Sequence, residues 1–557
     1  MEKSMETKLI FVTGGVLSGL GKGVVTASIG KILQFRGYRV DAVKIDPYLN
    51  VDPGTLNPIE HGEVFVCEDI WEFEPAPGYK FRIAEIDQDF GTYERFLDMN
   101  MHPSNNITSG QVYLSVVLKE RVGEYLGKTI QVIPHITDEI KERIKRAARR
   151  LNPDVLLIEI GGTVGDIEVM PFLEALRQLI LELGKDNILL VHVTLVPYLE
   201  TVGQLKTKPT QHSVKALQSM GLQPDIIIGR SRVELPDDVK EKISLFCNVP
   251  KHAVISDPNL ETAYELPLIF ERQGLGDLIC ELLHLPERRP DARLLEEWRM
   301  MVRRFKDGGD VVRIAMPGKY CMISDSYISI LEALKASAAS LGLKAEIKLI
   351  ETEEFEKDRT LLKTLDDVGG ILLTPGFGAR GVEGMIMAAE YAIKKRIPFL
   401  GICFGAQLLF VAFTRSVLGL RDAHSTEIDP NTPHPVVDLL SEQKKVGLKG
   451  GTMKLGGRPV KLIRGTKLHQ AYKADRVVER FRHRYHINPE YAKLAEEKGL
   501  RISAYDELDK TICGIELEGA WIVGVQFHPE FKSRPNKPSP LFLEFVKNAY
   551  LHQKEKM

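Results

Sequence analysis

The chain is short of the features that mark secreted, membrane-spanning or nucleic-acid-coating proteins. Its six cysteines (Cys67, Cys247, Cys280, Cys321, Cys403, Cys513) form no Cys-x-x-Cys pair and no Cys/His metal spacing. That excludes a disulfide or zinc framework and fits a reducing compartment. The formal charge of −2 leaves no basic field to draw nucleic acid or an anionic membrane. Long apolar runs are missing too. Hydrophobic residues are 44% of the chain, yet charge, Gly or Pro interrupts each run within about a dozen residues, short of the ~20 that a membrane-spanning helix needs. Met1–Lys8 is charged and lacks the apolar centre of a signal peptide. Internal repeats and low-complexity tracts are absent. A cytoplasmic protein with no nucleic-acid or membrane partner is expected.

At 557 residues and 62.6 kDa the chain holds more than one domain. Short Val/Ile/Leu-rich runs alternate with helical patterns throughout, the way parallel sheets covered on both faces read. The fold class expected is α/β, with two domains that are each a mostly parallel sheet flanked by helices. Pro286-Glu287-Arg288-Arg289-Pro290 and Lys306-Asp307-Gly308-Gly309 bracket a charged helical stretch. The expected division is therefore 1–284, a linker at 285–310, and 311–557.

The most informative residues lie in the second half. Arg396–Ile402 reads as a buried strand, and Cys403 follows between Gly401 and Gly405 with a helix expected from about Ala406. A cysteine on such a turn sits at a helix N-terminus, where the macrodipole favours the thiolate. A lone cysteine is more often buried packing than chemistry. Here, though, Gln526-Phe527-His528-Pro529-Glu530 supplies a base in His528 and a carboxylate, Glu530, to orient it. These residues resemble the class I glutamine amidotransferase domain. The resemblance implies that Cys403 attacks the side-chain amide of glutamine, forms a glutamyl thioester and releases ammonia. It also implies glutamine binding by Gly376, Phe377, Gln407, Glu427 and Arg484. The family's oxyanion loop usually reads Pro-Gly-Gly-Phe-Gly, whereas this chain has Thr374-Pro375-Gly376-Phe377-Gly378. Proline carries no amide hydrogen, so the donors must be Gly376 and the amide beside Cys403.

The first half opens with a buried-strand pattern, Leu9–Thr13. Gly14-Gly15-Val16-Leu17-Ser18-Gly19-Leu20-Gly21-Lys22-Gly23 follows, and then an amphipathic helix expected over Val24–Arg36. Strand, glycine loop, lysine and helix are the recipe for cradling phosphates. It is not a regular P-loop, because five residues separate Gly15 from Gly21 and Gly23 replaces the usual Ser/Thr. Magnesium therefore needs other ligands. Glu159 is a carboxylate inside the apolar strand Asp154–Ile160 and calls for a cation or donors; a structural salt bridge is the alternative.

Together with Lys44–Thr55, His61–Val66, Ile133–Thr137, Glu159–Glu168 and Lys206–Ser213, these segments resemble the CTP synthase family almost end to end. The resemblance implies ATP binding by Ser18, Gly19, Leu20, Gly21, Lys22, Gly23, Lys44, Asp89 and Arg230. It implies Mg²⁺ on Asp89 and Glu159. For UTP and product CTP it implies Ser18, Asp166, Ile167, Glu168, Lys206, Thr207, Lys208, Pro209, Thr210, Gln211 and Lys242, partly from a neighbouring subunit of a homotetramer. Asp89 is placed by the Gly91-Thr92-Tyr93-Glu94-Arg95-Phe96 match, with Asp87 as fallback. Between Asp69 and Ala84 the chain is longer than the usual family loop, and the aromatic and proline content of 70–83 points to order there. Arg380–Glu383 and Gly127–Ile130 match segments tied to activation by GTP.

The activity implied is ATP-dependent amination of UTP at C4 through a 4-phosphorylated intermediate, using ammonia from glutamine, with GTP as activator and CTP as inhibitor. Two alternatives share parts of the pattern. An amidotransferase-coupled ligase acting on a carboxylate would have no use for the Lys206–Gln211 clamp, and a partitioning-type ATPase would have none for Cys403.

Overall fold

The computed structural model describes residues 7–321, 324–439 and 453–556; the charged start of the chain, residues 1–6, lies outside them. The chain forms two compact units, Met1–Thr55 with Trp71–Val302 and Leu56–Ile70 with Arg303–Met557.

The first unit is built on a seven-stranded sheet in which every pairing is parallel. Across the sheet the strands run Val254–Asp257, Ile226–Arg230, Ile188–Leu195, Lys8–Gly14, Val155–Ile160, Val40–Asp46 and Asn106–Thr108. Near-continuous apolar runs such as Val155–Ile160 are buried along their whole length, as helices on both faces require. Asp154 stands outside that strand. The expected helix starts at Lys22 and runs to Phe35, so the lysine is itself the first helical residue. Beyond Asp69 the extra residues form a two-stranded ribbon, Phe65–Ala76 with Tyr79–Ile86. It turns at Pro77-Gly78, with Gly78 at φ 87°, the Pro–Gly pairing that type II turns demand. Arg143 lies 5.0 Å from the Phe73 ring, whose other neighbours are Trp71 and Phe81. Within 285–310, Ala292–Lys306 is helical, and Trp298 buries its ring among Phe35, Phe96 and Tyr264.

The second unit carries a nine-stranded sheet. Five strands are mutually parallel: Lys344–Glu351, Val311–Gly318, Gly370–Leu373, Phe399–Ile402 and Ile522–Val525. Four antiparallel strands extend it through Ile512–Leu517, Leu500–Asp506, Lys454–Leu462 and Arg476–His483. Leu56–Ile70 belongs here through Phe65, whose ring meets Phe531, and Val66, whose carbonyl accepts from Arg480 at 2.8 Å. The strand leading to Cys403 is shorter than its apolar run. Arg396, at φ 56°, ends the helix Val382–Lys395, and pairing starts at Phe399.

Candidate functional site

Both sites lie at the carboxyl edges of parallel strands, where such sheets place ligands. In the second unit, Ile402 pairs with Val525, so the chain leaves the sheet at Cys403 beside the segment that reaches His528. Cys403 has φ 53° and ψ −104°, a strained conformation for a residue with a side chain, and the helix begins immediately, at Phe404. The flanking glycines permit this turn. A Cβ at Gly401 would lie 2.7 Å from the Gly405 carbonyl oxygen, and one at Gly405 would lie 2.3 Å from that of Leu373. The Cys403 amide donates to the Val525 carbonyl at 2.7 Å, fixing the elbow to the sheet.

His528 and Glu530 are 4% and 3% exposed. Their side chains are joined at 2.7 Å through Nδ1 and Oε1. Nε2 has no oxygen or nitrogen partner, and the Cys403 sulfur is among the groups acting on the imidazole. Burial alone would depress His528, but Glu530 and that sulfur outweigh it and hold the pKa at about 10. Gln526, which the sequence reading quoted but gave no role, points Nε2 at the sulfur from 3.7 Å.

Two cavities open on Cys403. One, of about 310 Å³, is walled by Gly376, Phe377, Gln407, Glu427, His483 and Arg484, so all five glutamine-binding residues expected from the sequence converge there. Gln407 donates to the Tyr485 carbonyl at 2.9 Å and leaves its own Oε1 unpartnered. Glu427 accepts from the Gly378 amide at 3.2 Å; burial raises its pKa, against the pull of Gly378, Lys319 and Arg484. The other cavity, of about 600 Å³, is bounded by Val64, Tyr327, Pro375, His528 and Phe531 among others.

In the first unit, Lys44 collects the expected metal ligands. Its ammonium is 2.7 Å from Glu159, contacts Asp89 directly, and is 3.9 Å from Asp87. Glu159 is 1% exposed, and its second oxygen accepts from Tyr93, a partner the sequence reading did not name. A Cβ at Gly23 would lie 2.4 Å from Asp89 Oδ1. The absent Ser/Thr thus leaves the space that this carboxylate fills. Asp87 instead accepts from the Asp89 amide at 2.9 Å. Among the described residues no group of three or more His/Cys/Asp/Glu side chains is placed to hold a metal ion by itself. Two carboxylates drawn to one cation are a donor set that suits Mg²⁺ sharing its remaining positions with phosphates and water.

Lys22 donates to the Gly162 carbonyl at 2.8 Å, and burial lowers its pKa against the pull of Glu159. Gly19, Leu20, Gly21, Arg230 and Asp257 share a cavity of about 500 Å³, with Arg230 held to Asp257 at 2.8 Å. Ser18 is exposed on the same loop. Asp166, Ile167 and Glu168 follow the strand Val155–Ile160, while Lys206 to Gln211 follow Ile188–Leu195. These are two separate segments, the second entering the helix Lys208–Ser219. Thr207, Thr210 and Gln211 are buried: Gln211 donates to Thr207 at 3.0 Å and Thr210 to the Leu195 carbonyl at 3.1 Å. Pro209 sits in the first turn of the helix that Lys208 begins. Lys208 lies 5.7 Å from the Phe246 ring, and Lys242 is one turn before Phe246 on the helix Asp237–Cys247. Arg380 stacks 5.0 Å from Tyr320 and pairs with Glu353 at 3.1 Å.

A thiol on a strained elbow, an imidazole oriented by a buried carboxylate, and a polar cavity open on the thiol define a thiol-dependent glutamine amidotransferase domain. Residues 322–548 match the class-I glutamine amidotransferase family, and residues 8–285 match the family described as CTP synthase N-terminus. CTP synthase of Pyrococcus abyssi is 53% identical over 99% of both chains, and that of Thermococcus kodakarensis is 53% identical over 98% of both. A solved glutaminase domain of Trypanosoma brucei CTPS with bound acivicin is 33% identical, with a TM-score of 0.41, covering 43% of this chain and 94% of that one. The chain belongs to the CTP synthase family and is an enzyme. No helix among its described residues is long and apolar enough to cross a membrane.

Proposed function

We propose that the chain converts UTP to CTP with ATP and glutamine, and that its labour is divided between residues 1–284 and 311–557 across the segment 285–310. Glutamine sits in the smaller cavity, its α-amino group toward Glu427 and its α-carboxylate toward Arg484. Cys403 attacks the amide carbon once His528 has taken the thiol proton, and the Gly376 amide and that of Phe404 receive the developing oxyanion. The imidazolium, held protonated through neutral pH by Glu530, gives its proton to the departing nitrogen. Ammonia leaves, and water returns the thioester to glutamate and thiol. The larger cavity, which also opens on Cys403, offers ammonia a way out.

At the nucleotide site, Ser18–Gly23, Lys22, Lys44 and Arg230 hold ATP, and Lys206, Lys208, Gln211 and Lys242 hold the triphosphate of UTP. Asp89 and Glu159 would hold Mg²⁺, which neutralises phosphate charge when bound. Transfer of the γ-phosphoryl group to O4 of UTP turns a poor leaving group into phosphate, which ammonia displaces to give CTP, ADP and phosphate. Asp166, Ile167 and Glu168 face the pyrimidine and ribose, and CTP inhibits by occupying the same triphosphate clamp. GTP activates the glutaminase half through the segments around Arg380 and Lys128. The working form is a cytoplasmic homotetramer.

The observation that carries this reading is the convergence of Cys403, His528 and Glu530 beside a cavity holding all five candidate glutamine residues. The test is the absorbance change from UTP to CTP with ATP, Mg²⁺ and glutamine. Cys403→Ala should abolish glutamine use while ammonium chloride still supports CTP formation. A protein that makes no CTP from either nitrogen source overturns the proposal.

A further inference from the structure

Lys319 follows the strand Val311–Gly318 and is 1% exposed. Among the described residues it makes no ion pair; its ammonium is spent on backbone carbonyls. Nζ donates to the Phe377 oxygen at 2.9 Å and to the Gly378 oxygen, with the Phe404 ring 4.7 Å away. The same Phe377–Gly378 peptide is held from its other end, where the Gly378 amide donates to Glu427 at 3.2 Å. A peptide carbonyl and the following N–H point in opposite directions, so these two contacts fix the rotation of that peptide plane. The Gly376 amide belongs to the Pro375–Gly376 peptide, two peptides back, whose own carbonyl lies 3.4 Å from the Tyr327 hydroxyl. The base of the loop is equally tight: a Cβ at Gly318 would lie 2.1 Å from Thr374 Oγ1, and Tyr327 donates to the Lys319 carbonyl. Burying an ammonium without a carboxylate is costly. Burial here lowers the lysine pKa to about 8, with Glu427 pulling the other way. A lysine needed only to fill space would be replaced at no loss by methionine.

We propose that Lys319 is a positioning residue for glutamine hydrolysis: with Glu427 it locks the Phe377–Gly378 peptide, and with Tyr327 on the Lys319 and Pro375 carbonyls this holds the short loop between, and so the Gly376 amide, toward the oxyanion. This rests on Cys403 being the glutaminase nucleophile. Cys403→Ala tests that separately, since a C403A protein that still releases glutamate ends both readings, whereas inactive C403A with fully active K319M ends only this one.

The experiment compares wild type with Lys319→Met and Lys319→Gln in the full chain. Losing one oxyanion donor costs ~10²–10³ in kcat, so glutaminase kcat should fall about 10²-fold with KM for glutamine changed by less than ~3-fold. Alkylation of Cys403 by iodoacetamide develops no oxyanion, and its rate should be unchanged, as should ammonia-driven CTP formation. A glutaminase kcat retained within ~3-fold in either folded variant overturns the proposal. So does an alkylation rate that falls in step with the glutaminase rate, or loss of ammonia-driven activity in both variants, because either would make Lys319 a general support of its unit.

Discussion

Gly23→Ala puts the metal-binding reading under the sharpest test, because the perturbation is one methyl group and its target is known. An ideal Cβ at position 23 lies 2.4 Å from Oδ1, 2.7 Å from Cγ and 3.3 Å from Cβ of Asp89. Favourable heavy-atom contact begins near ~3.5 Å, so the carboxylate must retreat by about 1 Å. It is the far end of a rotatable side chain, 28% exposed, and can do so cheaply; the stability cost sits at the lower end of overpacking, about 1 kcal/mol. The functional cost is larger, since a misplacement of about 1 Å at a reacting site costs ~10²-fold. Restoring the β-carbon that an ordinary P-loop carries here should therefore damage this enzyme. The assay is ammonia-driven CTP formation in G23A across a Mg²⁺ titration, with glutamate release as the internal control. The rate should fall about 10²-fold with a higher Mg²⁺ requirement, glutaminase should persist, and adding Asp89→Asn to G23A should cost little more. An unchanged rate at limiting Mg²⁺ would refute the argument that glycine is present to seat Asp89.

Glu530→Gln keeps the shape of the triad but removes the charge that helps hold His528 at about 10; glutaminase kcat should drop by roughly 10²–10⁴ with ammonia-driven CTP formation intact. Equal loss of both activities would point instead to collapse of the fold. Gly15→Ala meets Ser213 Oγ at 1.5 Å, Ser213 Cβ at 2.7 Å and His192 Nε2 at 2.9 Å, all buried. With no flexible end to yield, it should lower stability by about 1–3 kcal/mol, read from urea midpoints; a midpoint unchanged from wild type would contradict this packing. The pH dependence of His528 has a definite sign. Its folded pKa is about 10 against an ordinary 6.5, so its contribution to stability is complete below 6.5 and is lost as pH rises through 10. The urea-midpoint gap between wild type and His528→Gln should accordingly be wider at pH 6 than at pH 10, and a gap that grows toward pH 10 would show the sign to be wrong.

Much of both sites was legible because their residues sit where a local pattern breaks. Cys403 interrupts an apolar strand with glycines on either side, Glu159 is charged within a buried run, and Lys22 ends a glycine loop. Each breach is visible within a few residues, and the sheets then bring the breaches together because parallel strands end at a common edge. What could not be read was contact between distant segments. Nothing local says that Gly23 is a glycine on account of Asp89, that Tyr93 completes Glu159, or that Leu56–Ile70 joins the second unit by way of Arg480 and Phe531. Local patterns also misplaced element ends by a few residues, at Lys22, Phe399 and Phe404, where a cap or a strained turn decides the boundary.

Two of the buried lysines, Lys44 and Lys319, show why residue type and a strand alone do not reveal a role. Lys44 lies within the strand Val40–Asp46, and Lys319 directly follows the strand Val311–Gly318. Their surroundings are opposite. Burial works against the charge of Lys44, but Asp89 and Glu159 overcome it and hold its pKa well above the usual value; Lys319, which faces carbonyls, is lowered by burial to about 8. Removing the first charge strands a buried carboxylate and costs about 3–5 kcal/mol. Removing the second strands only carbonyl oxygens, at about 1–3 kcal/mol. A lysine kept against its own desolvation, with no carboxylate to pair with, is being used for its direction as a donor. In this chain that direction is toward the loop that must present Gly376 to the oxyanion.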